Sequence, residues 1–92
     1  MKSYTKVYFK YFGYDESSFV PCEACGKQAT DIHHQEPRSR NKSRLNDPSN
    51  LIALCRPCHH KAETDAKFNY DLKMIHQKKM MKVDDAKIIK YL

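Results

Sequence analysis

Two Cys-x2-Cys pairs, Cys22/Cys25 and Cys55/Cys58, constrain this chain more than anything else in it. Four thiolates at this spacing make a tetrahedral zinc clamp, and four sulfur ligands leave no open position for water, so such a zinc is structural. The 29 residues between Cys25 and Cys55 exceed the roughly 15 to 20 of a compact zinc ribbon. A strand, a loop and a second strand would occupy the excess. The clamp brackets a segment carrying Asp31, His33 and His34, and its second knuckle runs straight into His59 and His60.

The clamp also matters for stability. Ninety-two residues without tryptophan, 40% of them hydrophobic, suit one small domain that buries limited apolar surface. Zinc is expected to carry a substantial share of folding stability, and metal-free protein to fold poorly. Seventeen Lys and Arg against eleven Asp and Glu give a net charge of +6 and a pI near 9.2. That balance favours polyanionic partners, nucleic acid before membrane. The start, Met1 to Lys6, lacks the apolar core of a secretory signal, and no apolar run reaches membrane-spanning length. A cytosolic protein is expected, in which cysteines serve as zinc ligands rather than disulfides.

Along the chain, Ser3 can cap a helix over about 3–13 that places Tyr4, Val7, Tyr8, Tyr11 and Phe12 on one face, with Gly13 as its stop. A strand is the rival reading there, since aromatics suit strands. Asp15 to Ser18 reads as a turn, Ala29 to Gln35 as a strand broken by Pro37, and Leu51 to Leu54 as a short buried strand. Asp47-Pro48 has turn chemistry. A helix is predicted from Cys58 to about Phe68, with Pro57 tolerated at its first turn, followed by further helix from Tyr70 and a last one capped by Asp84 or Asp85. His60 and His76 read as ordinary histidines, a solvent-facing helix residue and a filler.

Strand, loop, strand and helix bearing Asp31-Ile32-His33-His34, then Asn50 to Cys55, then Cys55-Arg56-Pro57-Cys58-His59, resemble the HNH nucleases. The resemblance covers about residues 22–62. It implies an α+β fold with a ββα-metal core at about 19–68, a structural zinc on Cys22, Cys25, Cys55 and Cys58, and flanking helices at about 3–13 and 70–92, all in a single domain. It further implies a metal-dependent endonuclease that hydrolyses DNA phosphodiester bonds. His34 would be the general base, and His33 and His59 would ligate one catalytic divalent metal. Asn50 would tie the intervening loop so that a backbone carbonyl orients His34.

Asp31 either joins that metal or buttresses the imidazole of His33. Many relatives have Asp where this chain has His33; a neutral ligand suits Mn²⁺, Ni²⁺ or Zn²⁺ better than Mg²⁺. Strict strand alternation sends His33 and His34 to opposite faces, so one site can use both only where the strand ends or twists. Arg38, Arg40, Lys42 and Arg44 are candidate phosphate contacts on the loop, or a solvated basic loop. Double-stranded DNA is the expected partner; a lone site would nick and a dimer could cut both strands. Family context points to a phage or bacterial genome. The alternative is a catalytically silent zinc module that binds nucleic acid through its basic loop.

Overall fold

The protein, seen as a computed structural model, is described for residues 1–37, 40 and 42–90, with side chains described up to 86. It is an α+β assembly of a two-stranded antiparallel sheet and three helices. Helix α1 spans Ser3–Phe12, strand β1 Asp31–His34, strand β2 Leu51–Leu54, helix α2 Arg56–Thr64 and helix α3 Ala66–Lys90. Single 3-10 turns at Lys42–Arg44 and Pro48–Asn50 punctuate the loop between the strands.

Strand β2 organises the interior. All four of its residues are buried, because it is covered on both faces. Leu51 and Ala53 pack with Tyr8 and Val20, against the aromatic face of α1. Ile52 and Leu54 pack on the other side with Cys22, Cys55, Ala62 and Leu72. This alternation follows from the two-residue period of a strand. Its antiparallel partner pairs Asp31 with Leu54 and His34 with Leu51. Thus Ile32 and His34 face α1, while Asp31 and His33 face α2.

Helix α1 ends where expected: Gly13 adopts φ 77°, and its N–H bonds the Phe9 carbonyl. Its start differs from the expected cap. Lys2 is the capping position and makes no side-chain cap bond, while the Ser3 hydroxyl instead donates to Asn46 Oδ1 at 3.2 Å, tying α1 to the loop. β1 is shorter than the predicted 29–35 stretch. Thr30 and Gln35 still donate to Leu54 and Asn50 carbonyls, but Ala29 turns away to bond Val20 in the first knuckle.

The predicted helix from Cys58 to Phe68 begins two residues earlier, at Arg56, and is cut at Asp65, whose extended backbone closes α2. The Asp65 carboxylate then accepts from the Phe68 N–H, capping α3. With neither Gly nor Pro after that point, α3 runs unbroken through Asp84 and Asp85 instead of restarting there. Asp84 accepts from the Tyr11 hydroxyl and caps nothing.

A buried polar network anchors α3 to the rest. His76 Nδ1 lies 2.8 Å from Glu23 Oε1, with both side chains 2% exposed or less. Its Nε2 donates to the Pro48 carbonyl at 2.8 Å, and Tyr8 donates to the other Glu23 oxygen at 2.7 Å. Both His76 nitrogens are thus engaged within the core. This histidine is therefore a structural linchpin rather than a filler. Glu23 sits between Cys22 and Cys25 of the first knuckle, so the network ties knuckle, loop, α1 and α3 together.

Candidate active site

The four cysteines converge. Each pair of their Sγ atoms lies within 4.8 Å, and Cys25 and Cys55 are 3.6 Å apart. A tetrahedron of Zn–S bonds near 2.3 Å needs sulfurs about 3.8 Å apart, so the cluster could hold a zinc ion. Gly26, at φ 83°, lets the first knuckle turn so that its N–H donates to the Cys22 carbonyl. The second knuckle is formed by the start of α2, with Cys55 at its capping position. Burial opposes the Cys22 thiolate, yet N–H groups of Cys55, Cys25 and Ala24 outweigh it and hold the thiol at about 7. Burial and the neighbouring thiols push Cys58 up.

A second cluster forms on β1 and α2. Ligand atoms of His33, His59 and Glu63 all lie within 4.8 Å of one another. His33 is buried on β1 and His59 half-buried in the first turn of α2, their rings edge to face at 5.1 Å. Glu63 was not foreseen from the sequence. Its signal is the i,i+4 spacing from His59, which puts both on one face of α2; His59 Nε2 and Glu63 Oε1 are 2.9 Å apart. Two imidazoles and a carboxylate suit a borderline divalent cation.

The groups behind these side chains set their orientation. Asp31 does not reach the imidazole of His33. Its Oδ2 lies 2.9 Å from His59 Nδ1 and 2.8 Å from Arg56 Nε, and Oδ1 accepts from Arg56 as well. The sequence left Asp31 as a metal ligand or a buttress for His33; the geometry makes it the buttress of His59. Burial raises the Asp31 carboxyl, but the Arg56 and His59 bonds outweigh it, so its pKa is below the ordinary value. With Nδ1 held against Asp31, the other ring nitrogen of His59, Nε2, faces Glu63. His33 Nε2 meets Asn69 Oδ1 of α3 at 2.8 Å. Burial holds the His33 pKa below the ordinary histidine value, with the Asn69 bond opposing and the His59 charge assisting. Asn69, outside every motif in the sequence, had no signal by which to be found.

His34 points to the opposite face, as alternation requires, with its ring edge-on to Tyr4 at 4.7 Å. Its Nε2 lies 3.1 Å from the Leu45 carbonyl, which can only accept, so Nε2 carries a proton. Asn50 is fully buried beneath this loop. Its Oδ1 accepts from the Glu36 N–H at 2.7 Å, while Nδ2 donates to the carbonyls of Glu36 and Arg44 at 3.1 and 3.2 Å. The Arg44 carbonyl belongs to the peptide just before the one that meets His34, so Asn50 ties the loop beside that contact. Because β1 ends at His34, the two histidines meet around its end. They line one open cavity of about 340 Å³ with Tyr4, Ile32, Pro37, His59 and Glu63.

The basic loop is less uniform than its composition suggests. Arg44 is committed to Glu36, Asp47 and Ser49 at 2.8–3.2 Å, so it braces the loop instead of facing outward. Arg40 and Lys42 are exposed, and Arg38 lies outside the described residues. Among the described residues no helix is long and apolar enough to cross a membrane.

Residues 22–65 match the family model described as HNH endonuclease. The chain is also similar to a mitochondrial DNA mismatch repair protein mutS homolog of Sarcophyton glaucum, at 39% identity over a stretch covering 50% of this chain and 5% of that protein. The chain thus spans about a twentieth of that relative's length.

Proposed function

We propose, from the match of residues 22–65 to the HNH endonuclease model, that the chain is a metal-dependent nuclease whose general base is His34. The observation that carries this reading is the shared cavity, in which the His34 ring and the His33–His59–Glu63 cluster open on the same space.

Neutral His34 takes the proton of the attacking water at Nδ1. The Leu45 carbonyl, already accepting from Nε2, stabilises the imidazolium that results. Tyr4 and the loop tied by Asn50 restrict the ring to that orientation. His33, His59 and Glu63 are the residues that would hold the divalent cation. When bound, it neutralises charge on the scissile phosphate and the departing oxygen. Asp31, locked by Arg56, keeps His59 Nε2 aimed into the cluster. The Cys22, Cys25, Cys55 and Cys58 cluster staples β2 and α2 to the first knuckle and takes no part in the chemistry. DNA is the proposed substrate, and Arg40 and Lys42 are its proposed phosphate contacts.

The test is nicking of supercoiled plasmid by zinc-loaded protein with added Mg²⁺, Mn²⁺ or Ni²⁺, beside a His34→Ala variant of equal zinc content. Metal-dependent nicking that His34→Ala reduces by roughly 10²–10⁴-fold supports the reading. Binding of plasmid without nicking under any cation would leave the silent zinc module.

A further inference from the structure

A second cavity, of about 430 Å³, opens on the α1 side of the sheet. We propose that it receives one unpaired nucleobase of the strand whose phosphate occupies the His34 cavity. This rests on the nuclease reading and adds to it a substrate class: nucleic acid with an unstacked nucleotide next to the scissile position.

Three observations lead there. The first is continuity. Tyr4 and Ile32 line both cavities, and the Tyr4 ring stands edge-on to His34. A chain bound at the histidines therefore has this space beside it. The second is the chemistry of the lining. Phe9 and Tyr4 offer aromatic surface, and Val20, Ile32 and Ala53 an apolar floor. Thr5, Gln28, Thr30 and Glu16 ring that floor, and their side chains have no hydrogen-bond partner among the described residues. A planar, neutral ligand with donors and acceptors along its edge matches an apolar floor with uncommitted polar groups at its rim. A phosphate matches it poorly, because Glu16 stands there as well as Lys2.

The third observation is size. The volume falls within the range of small-ligand sites, enough for a base and its sugar. A base held within a duplex is stacked on both sides and cannot enter, so the nucleotide must be unpaired or swung out. Unpairing costs least where no partner exists.

The test uses zinc-loaded His34→Ala protein without added divalent cation, so that binding is read without cleavage. Fluorescence anisotropy compares three labelled DNAs: a fully paired duplex, the same duplex with one unpaired nucleotide, and that duplex with the unpaired base removed to leave an abasic sugar. The unpaired nucleotide should tighten binding about tenfold, the size of one base stacking on aromatic side chains, and the abasic sugar should abolish the gain. Thr30→Trp, which fills the cavity from an exposed position, should remove the gain and leave paired-duplex affinity unchanged. Thr5→Phe does the same from α1. Equal affinity for the unpaired and abasic DNAs, or a gain that survives both filled cavities, overturns the proposal. Either result leaves the plasmid test of catalysis standing on its own.

Discussion

Replacing Asn50 by Ala removes three hydrogen bonds from a fully buried side chain: one accepted from Glu36 N and two donated to the Glu36 and Arg44 carbonyls. A typical bond of this kind contributes about 1 kcal/mol net, and a buried group left unpaired costs about 1–3 kcal/mol. Water can reach part of the loop once the amide is gone, so the lower end applies, and the expected loss is about 3 kcal/mol. Asn50→Asp keeps the acceptor for Glu36 N but brings a carboxylate oxygen against two carbonyls. It should destabilise at least as much as Ala. Urea denaturation of zinc-saturated proteins, followed by circular dichroism, measures both. Nicking should fall by about 10²-fold or more even where the protein stays folded, because the Leu45 carbonyl loses its support and a base misplaced by about 1 Å costs that much. A stability change under about 0.5 kcal/mol for Ala, or a tolerated Asp, would refute this account of the loop. Loss of nicking at unchanged stability would mean that Asn50 acts in the chemistry itself.

Other perturbations separate the staple from the site. Cys58→Ser, or chelation of zinc, should abolish cooperative thermal unfolding, since the metal contributes folding energy directly. Glu23→Gln should cost about 1–3 kcal/mol by disturbing the buried bonds to His76 and Tyr8, with metal-saturated nicking below the unfolding temperature unchanged. Cleavage should decline below about pH 6, where a histidine base of ordinary pKa becomes protonated. His33 stays neutral to lower pH than an ordinary histidine because burial depresses its pKa. Its proton should therefore compete with metal only on the acid side of that limb, so a metal affinity that collapses already near pH 7 would count against it as a ligand.

The sequence carried the parts of this protein that depend on short-range rules. Cysteine spacing announced the knuckles, Gly13 the end of α1, and the apolar run Leu51–Leu54 a strand covered on both faces. His33, His34 and His59, put forward by their order along a known pattern, line one cavity. Contacts between distant elements were hidden. Nothing local says that Asn69 of α3 meets His33, or that Glu23 and His76, 53 residues apart, form a buried pair. Asp31 shares a strand face with His33, yet the long Arg56 side chain and the first turn of α2 draw its carboxylate to His59. Asp65 was missed as a break because helix-compatible residues surround it, and only its side-chain bond to the Phe68 N–H reveals the new helix start. The same blindness applied to Arg44, whose charge reads as available until its three partners are seen.

The most direct measurement is titration of Mn²⁺ into zinc-loaded protein, with zinc counted separately by elemental analysis. One zinc per chain and one additional Mn²⁺ are expected for the unaltered protein. His59→Ala and Glu63→Ala should each lose or greatly weaken the Mn²⁺ while retaining the zinc. Failure of the unaltered protein to take up a second cation, or uptake that both substitutions leave unchanged, would contradict a metal centre built from His33, His59 and Glu63.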